Sequence, residues 1–357
     1  LAAIGGAAIA AGVARIAVMD VPGNTFDNFD IGYVDSTAGR YYIADRSNAA
    51  IDIFDTQRKT FIGRVTGFAG IKKDANGRVA NNISGPNGVA FDPQKKQLWV
   101  GDGDSTVKVI DVAANPAKLI ATINTGGQKR ADELTVDPTD GLVLIGNNGD
   151  KPTFVSFIST EPDHAIVAKI EMPEATDGID QPTYVSETGL FYASVPVLKD
   201  EKNHGGLAVF DPKTLRLVKI IPIDDCMPAG SFHGPGTKMI IGCSAGSATR
   251  TPGMAPATLI FDVATENVVK VIHELGGMDE VWYNPAAHRY YTGSRDQPGG
   301  PVLGVINADT DSWIENVPTG TNAHSVAADA KNNVIFVPLM APNPACSKGC
   351  IGIYQER

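Results

Sequence analysis

This chain has little charge for its size and few aromatic residues. Of its 357 residues, 20% are Asp, Glu, Lys or Arg, only three are Trp, and no run of Lys and Arg exceeds two. The formal net charge is −10. A nucleic-acid partner is therefore not expected, because phosphate binding needs a clustered basic face. Long hydrophobic runs are missing too. The best candidate, LAAIGGAAIAAG at 1–12, is far shorter than the roughly 20 residues a spanning helix needs, so no membrane span is expected. Residues 1–13 read as an Ala-rich tail or the remnant of an export signal. Cysteine is scarce: four residues, in two local pairs, Cys226 with Cys243 and Cys346 with Cys350. Neither pair has the two-residue spacing of a zinc knuckle. In an exported chain an even count points to disulfides, and a periplasmic or secreted location is expected.

Glycine and proline are plentiful, 38 and 23 residues, as in a protein made of turns. What organises them is a seven-residue phrase that occurs seven times. It reads DIGYVDS at 30–36, NGVAFDP at 87–93, DELTVDP at 132–138, QPTYVSE at 181–187, GSFHGPG at 230–236, DEVWYNP at 279–285 and HSVAADA at 324–330. Successive copies lie 57, 45, 49, 49, 49 and 45 residues apart. A second marker follows in each unit, an apolar run closed by a polar residue, such as IDIFD at 51–55 and VKVID at 107–111. A period of 40–50 residues with four short apolar runs per unit predicts an all-β, seven-bladed propeller of four-stranded antiparallel blades over 14–357. The run ARIAVMDV at 14–21 precedes the first copy and is expected to complete blade 7 beside the C-terminal strands. Residues 67–86 are the one evident insertion.

Propeller symmetry brings the first residues of the phrases into one ring. These are Asp30, Asn87, Asp132, Gln181, Asp279 and His324, with Gly230 as the exception. Oxygen donors converging on an axis suit a hard divalent cation, most readily Ca²⁺, with Asp30, Asn87, Asp132 and Asp279 as ligands. Crowded carboxylates in a cleft also favour acid–base chemistry, for which His324, Glu280 and Glu133 are the candidates. Arg46, Asp102, His204 and Arg295, with Gln181, are expected to contact a small polar molecule or a sugar acid, since guanidinium groups hold carboxylates in a forked geometry. The opposing expectation is a solvated channel whose polar residues bond water. GCSAG at 242–246 matches a nucleophile-elbow pattern, but the strand–turn–helix context it needs is absent from the repeat.

The phrases YYIADRSNAAIDIFD at 41–55, LWVGDGDSTVKVIDV at 98–112 and GPNGVAFDP at 85–93 resemble the YVTN/YncE-like propeller family. That resemblance implies seven blades, frequent export and no single activity. GPNG is also similar to the calcium-dependent lactonases related to gluconolactonase and senescence marker protein 30, which implies a ligand role for Asn87 alone. WD dipeptides, kelch glycine pairs and the Trp docking motif of quinone-dependent propellers are missing at the repeat positions, so no nucleotide or quinone cofactor is expected. Three functions are compatible with these observations: a small-ligand or cation-binding propeller, a metal-assisted hydrolase, lactonase or lyase, and an interaction scaffold without chemistry. The sequence does not define an oligomeric state.

Overall fold

In a computed structural model, residues 12–199, 204–246 and 255–357 are described. The Ala-rich stretch 1–11 lies outside them. Among the described residues, seven antiparallel sheets of four strands each form a ring. The innermost strands are Gly32–Asp35, Val89–Asp92, Leu134–Asp137, Pro182–Val185, Pro228–His233, Val281–Asn284 and Ala327–Asp329, so each repeated phrase builds the strand nearest the axis. The seventh sheet joins Ala327–Asp329, Val334–Leu339 and Cys350–Glu356 to Val13–Asp20, which runs antiparallel to Cys350–Glu356 with Val13 opposite Glu356.

Burial across a blade explains its apolar pattern. Second and third strands such as Arg40–Asp45 and Ala50–Asp55 are packed on both faces and nearly continuously buried, whereas the outer strand Lys118–Asn124 is largely exposed. The core sits between blades. Ile51 and Val65 of blade 1, for example, share a buried cluster with Val89, Leu98 and Val100 of blade 2. In several blades the polar residue that ends the inner strand starts the next turn. Asp35, Asp92 and Asp137 each accept two backbone N–H bonds from the residues two and three positions on. The residue that closes the same turn is left-handed in blade after blade, with φ of 65° at Gly39 and 66° at Gly141 and Gly189.

Both cysteine pairs are disulfides, Cys226–Cys243 in blade 5 and Cys346–Cys350 in blade 7. The insertion folds over blades 1 to 3. The Ala69 N–H reaches Asp102 at 3.1 Å, and the Arg130 N–H reaches the Asn82 carbonyl at 2.8 Å.

Candidate functional site

The hydrogen-bond ladder identifies which residue opens each phrase. The N–H of Asp30 donates to the Ala44 carbonyl, and those of Asn87, Asp132 and Asp279 to Gly101, Gly146 and Gly293, always fourteen residues ahead. In blade 4 that bond belongs to Asp180, which donates to Ser194 at 2.8 Å. The ring residue of blade 4 is therefore Asp180, and Gln181 stands one step inside it. Blade 5 is offset in the same direction. A Cβ on Gly230 would lie 2.3 Å from the Asp279 carbonyl, as one on Gly88 would lie 2.6 Å from that of Asp132. Gly230 is thus a second-position residue, and Ala229 opens the phrase.

At the upper face, where the phrases begin, the ring surrounds a polar cavity of about 260 Å³. Asp30, Asp132, Glu133, Asp279, His324, Arg46 and Arg295 all line it. So do Arg130, Asp180, Phe29, Asn28, Asn81 and Asn322, which the repeat pattern did not single out. Most of these come from the loops that enter the inner strands, and loops carry no repeat signal.

Three arginines divide the carboxylates among them. Arg46, in a one-turn 3₁₀ helix at Arg46–Asn48, pairs with Asp30 and donates to Asn87 Oδ1 at 2.6 Å. Arg130 binds Asp132 at 2.7 Å and stands 3.8 Å from Asp30. Arg295 binds Asp279 at 2.8 Å. His324 is fixed from three sides. Its Nδ1 faces the Asn322 carbonyl at 2.8 Å, its Nε2 faces Asp30 at 3.3 Å, and its ring stacks on Phe29 at 4.7 Å, which stacks in turn on Phe26. Phe26 is held by the loop that carries the second disulfide, through bonds to Lys348 and Ala341.

The carboxyls fall into two groups. Burial would raise Asp30, but Arg46, the His324 hydrogen bond and Arg130 outweigh it and hold that carboxyl well below its usual range. Burial dominates for the others. Asp132, only partly relieved by Arg130, is pushed up to about 7. Asp180 is pushed up to about 8 by burial and by the nearby Asp279 and Asp132. Glu133 is raised well above its ordinary value by burial and then by Asp180. Among the described residues no hydrogen bond reaches the Glu133 carboxyl, although the residue is 7% exposed.

The remaining expected site residues stand elsewhere. Asn87 is buried with both ends of its amide engaged, Oδ1 by Arg46 and Nδ2 by the Ala131 carbonyl at 3.0 Å. Asp102 forms a buried pair with Lys108 and anchors the insertion. Gln181 and Glu280 face a second hollow lower on the axis. His204 begins the strand His204–Asp211. In the expected calcium quartet of Asp30, Asn87, Asp132 and Asp279, guanidinium groups pair with the three carboxylates and with the Asn87 oxygen. Among the described residues no group of three or more His, Cys, Asp or Glu side chains is spaced to hold a metal.

No family model and no curated protein match this chain, so the resemblance to YVTN/YncE-like propellers rests on repeat phrases alone. Solved structures do match, 1436 chains in all. One is the hydrazine synthase of Kuenenia stuttgartiensis, with a TM-score of 0.70 and 14% identity over 90% of this chain and 95% of that one. The likeness shows a shared β-propeller fold. At that identity it speaks to fold alone.

Proposed function

We propose that this chain is an exported binding propeller whose upper cavity takes a small, polar, oxygen-rich molecule such as a sugar acid. The observation that carries this reading is the convergence of three arginines, His324 and a hydrogen-bond-free Glu133 on one polar cavity at the axis. Arg130 and Arg295 sit at its edge and supply N–H donors to a ligand carboxylate. Glu133 and Asp180, whose carboxyls burial pushes toward the neutral form, donate to or accept from hydroxyl groups. Arg46 is already occupied by Asp30 and Asn87 and stiffens the wall. The two disulfides support an oxidising compartment. A divalent cation is the less favoured occupant, because its expected ligands are spent on arginines.

One observation favours an enzyme as a second reading. Two carboxyls that line one cavity are pushed in opposite directions, Asp30 down and Asp180 up, an arrangement from which acid and base roles arise. In a hydrolase or lyase of a sugar acid, Glu133 would serve as the proton donor and Asp30, oriented by His324, as the base. Glu280, in the other hollow, takes no part.

A thermal-shift screen of sugar acids, the matching neutral sugars and divalent ions tests both readings. The expected result is a rise in Tm with a hydroxy acid that the neutral sugar does not produce and that Arg130→Gln abolishes. Turnover of that ligand would add the enzyme reading. Stabilisation by a divalent ion alone, or by nothing in the panel, would overturn the binding proposal.

A further inference from the structure

The inner strands build a second hollow farther along the axis, and its walls have a different chemistry. Counted from the opening residue of each phrase, the fourth positions are Tyr33, Ala90, Thr135, Thr183, Phe232, Trp282 and Ala327. Rings therefore come from blades 5, 6 and 1, and small side chains from blades 2, 3 and 4. Blade 7 lies between blades 6 and 1 and contributes only Ala327, so Tyr33 and Trp282 meet at 5.1 Å, nearly perpendicular. Phe232 packs on Trp282 from the other side at 4.8 Å. The result is a crescent of three aromatic rings facing a gap. The gap is a cavity of about 250 Å³, lined by the three rings together with Ala90, Thr135 and Thr183.

Glu280, the second-position residue of blade 6, also lines this hollow and is only 1% exposed. Its Oε2 accepts from Ser325 Oγ at 2.6 Å and from the Val326 N–H at 2.9 Å. Among the described residues no Lys or Arg lines the cavity. The basic side chain at the rim, His233, is engaged by Glu187 at 3.0 Å. Burial pushes the Glu280 carboxyl well above its usual value, with Asp30 adding to the rise, as expected for a carboxyl without a counter-cation.

We infer that this lower hollow binds an organic ammonium ion, with its methyl groups against Tyr33, Phe232 and Trp282 and its charge offset by Glu280. Each alternative conflicts with one of these features. An anion meets a carboxyl and π-electron density. A hard metal ion needs six or more oxygen ligands and finds one carboxyl. A neutral apolar guest gains nothing from Glu280. Ammonium ions enclosed by aromatic rings are attracted by the ring quadrupoles, and desolvation strengthens that attraction.

The test uses the whole chain, with choline and its uncharged isostere 3,3-dimethyl-1-butanol as probes, read by calorimetry and by the fluorescence of Trp282. Choline is expected to bind saturably and to change the emission, and the isostere to bind at least about tenfold more weakly. Glu280→Gln keeps the size of the side chain and its bond from Ser325. It is expected to weaken choline about tenfold or more while leaving the isostere unchanged. Trp282→Phe keeps the crescent and should remove the fluorescence response but not the heat of binding. Equal binding of the two probes would overturn the inference, as would no saturable binding to the wild-type chain. Loss of choline binding in Asp180→Asn with retention in Glu280→Gln would overturn it as well, because it would place the cation in the upper cavity.

Discussion

The two ends of the axis are lined by the same seven strands and differ at alternate steps along them. At the upper end, three first-position residues, Asp30, Asp132 and Asp279, are carboxylates that need partners, and Arg46, Arg130 and Arg295 supply them. Three or four residues along, the lining becomes Tyr33, Phe232 and Trp282 and holds itself together by ring contacts. A repeat thus specifies where side chains converge, whereas substitutions at each position of the repeat specify what they can bind. The upper cavity depends on cations borrowed from loops. The lower hollow depends on volume differences between blades.

The largest effect that separates the two ends should come from Arg46→Met. Arg46 is 5% exposed and is held by Asp30, Asn87 and the Pro86 carbonyl. Removing it leaves Asp30 charged and buried with only the more distant Arg130 and His324 for support. Breaking a buried pair from one side costs about 3–5 kcal/mol, and urea denaturation should show a loss of that size. Trp282→Phe at the lower end, an apolar exchange within a packed set of rings, should cost less than about 2 kcal/mol. If the two losses were equal, the distinction between an ion-paired end and a ring-packed end would fail.

Much of this was legible in the sequence. The seven phrases placed the inner strands, and their sixth positions placed the turns, because strand alternation and Asx turns are local. The one-residue offsets in blades 4 and 5 were not legible. Asp180-Gln181 offers two polar residues in a row, and only the bond from Asp180 to Ser194 shows which one opens the strand. In blade 5 the glycine at 230 is explained by the approach of the Asp279 carbonyl, a contact between residues 49 apart. Arg130 illustrates a second limit. It lies two residues before Asp132 in a loop, and nothing local shows that it faces Asp132 and Asp30 together. Phe29 and the Cys346–Cys350 loop support His324 only through the chain of contacts that passes by Phe26.

Next in size is a pH dependence concentrated at the upper end. Asp132 and Asp180 have folded values raised to about 7 and about 8 from an unfolded 3.8, and Glu133 is raised as well. Between those limits the folded chain binds more protons than the unfolded one, so stability falls as pH rises. It is fully present below about pH 4 for these groups and is lost through pH 7 to 8. Asp30, held low by Arg46, acts in the opposite sense, and its contribution is lost only in strong acid. Melting temperature should therefore decline from pH 5 to pH 8.5. Asp180→Asn should flatten that decline more than Glu280→Gln does, because it relieves Glu133 and Asp132 as well as removing its own titration. Asp52 in blade 1, also raised to about 8, leaves a residual slope in both variants. A wild-type melting temperature that rose over this range would contradict the burial of the upper carboxyls.

The smallest expected effect is on the same cavity and bears most directly on its use. Arg295 has the same pairing as Arg46 in outline, a guanidinium on a first-position Asp, but its side chain is 36% exposed. A second acid, Asp296, stands 3.4 Å away. Water can replace the guanidinium on Asp279, so Arg295→Ala should change stability by no more than about 1 kcal/mol, and by less at high salt. Binding should respond differently, because an arginine at the cavity edge can turn from Asp279 to an incoming carboxylate at little cost in folding. The variant should therefore unfold like the wild type in urea yet lose affinity for a sugar acid, with the loss shrinking as salt is added. A destabilisation matching that of Arg46→Met would mean that Arg295 is a structural pair sealed from solvent, and the upper cavity would then have no open cationic side through which to recognise an acid.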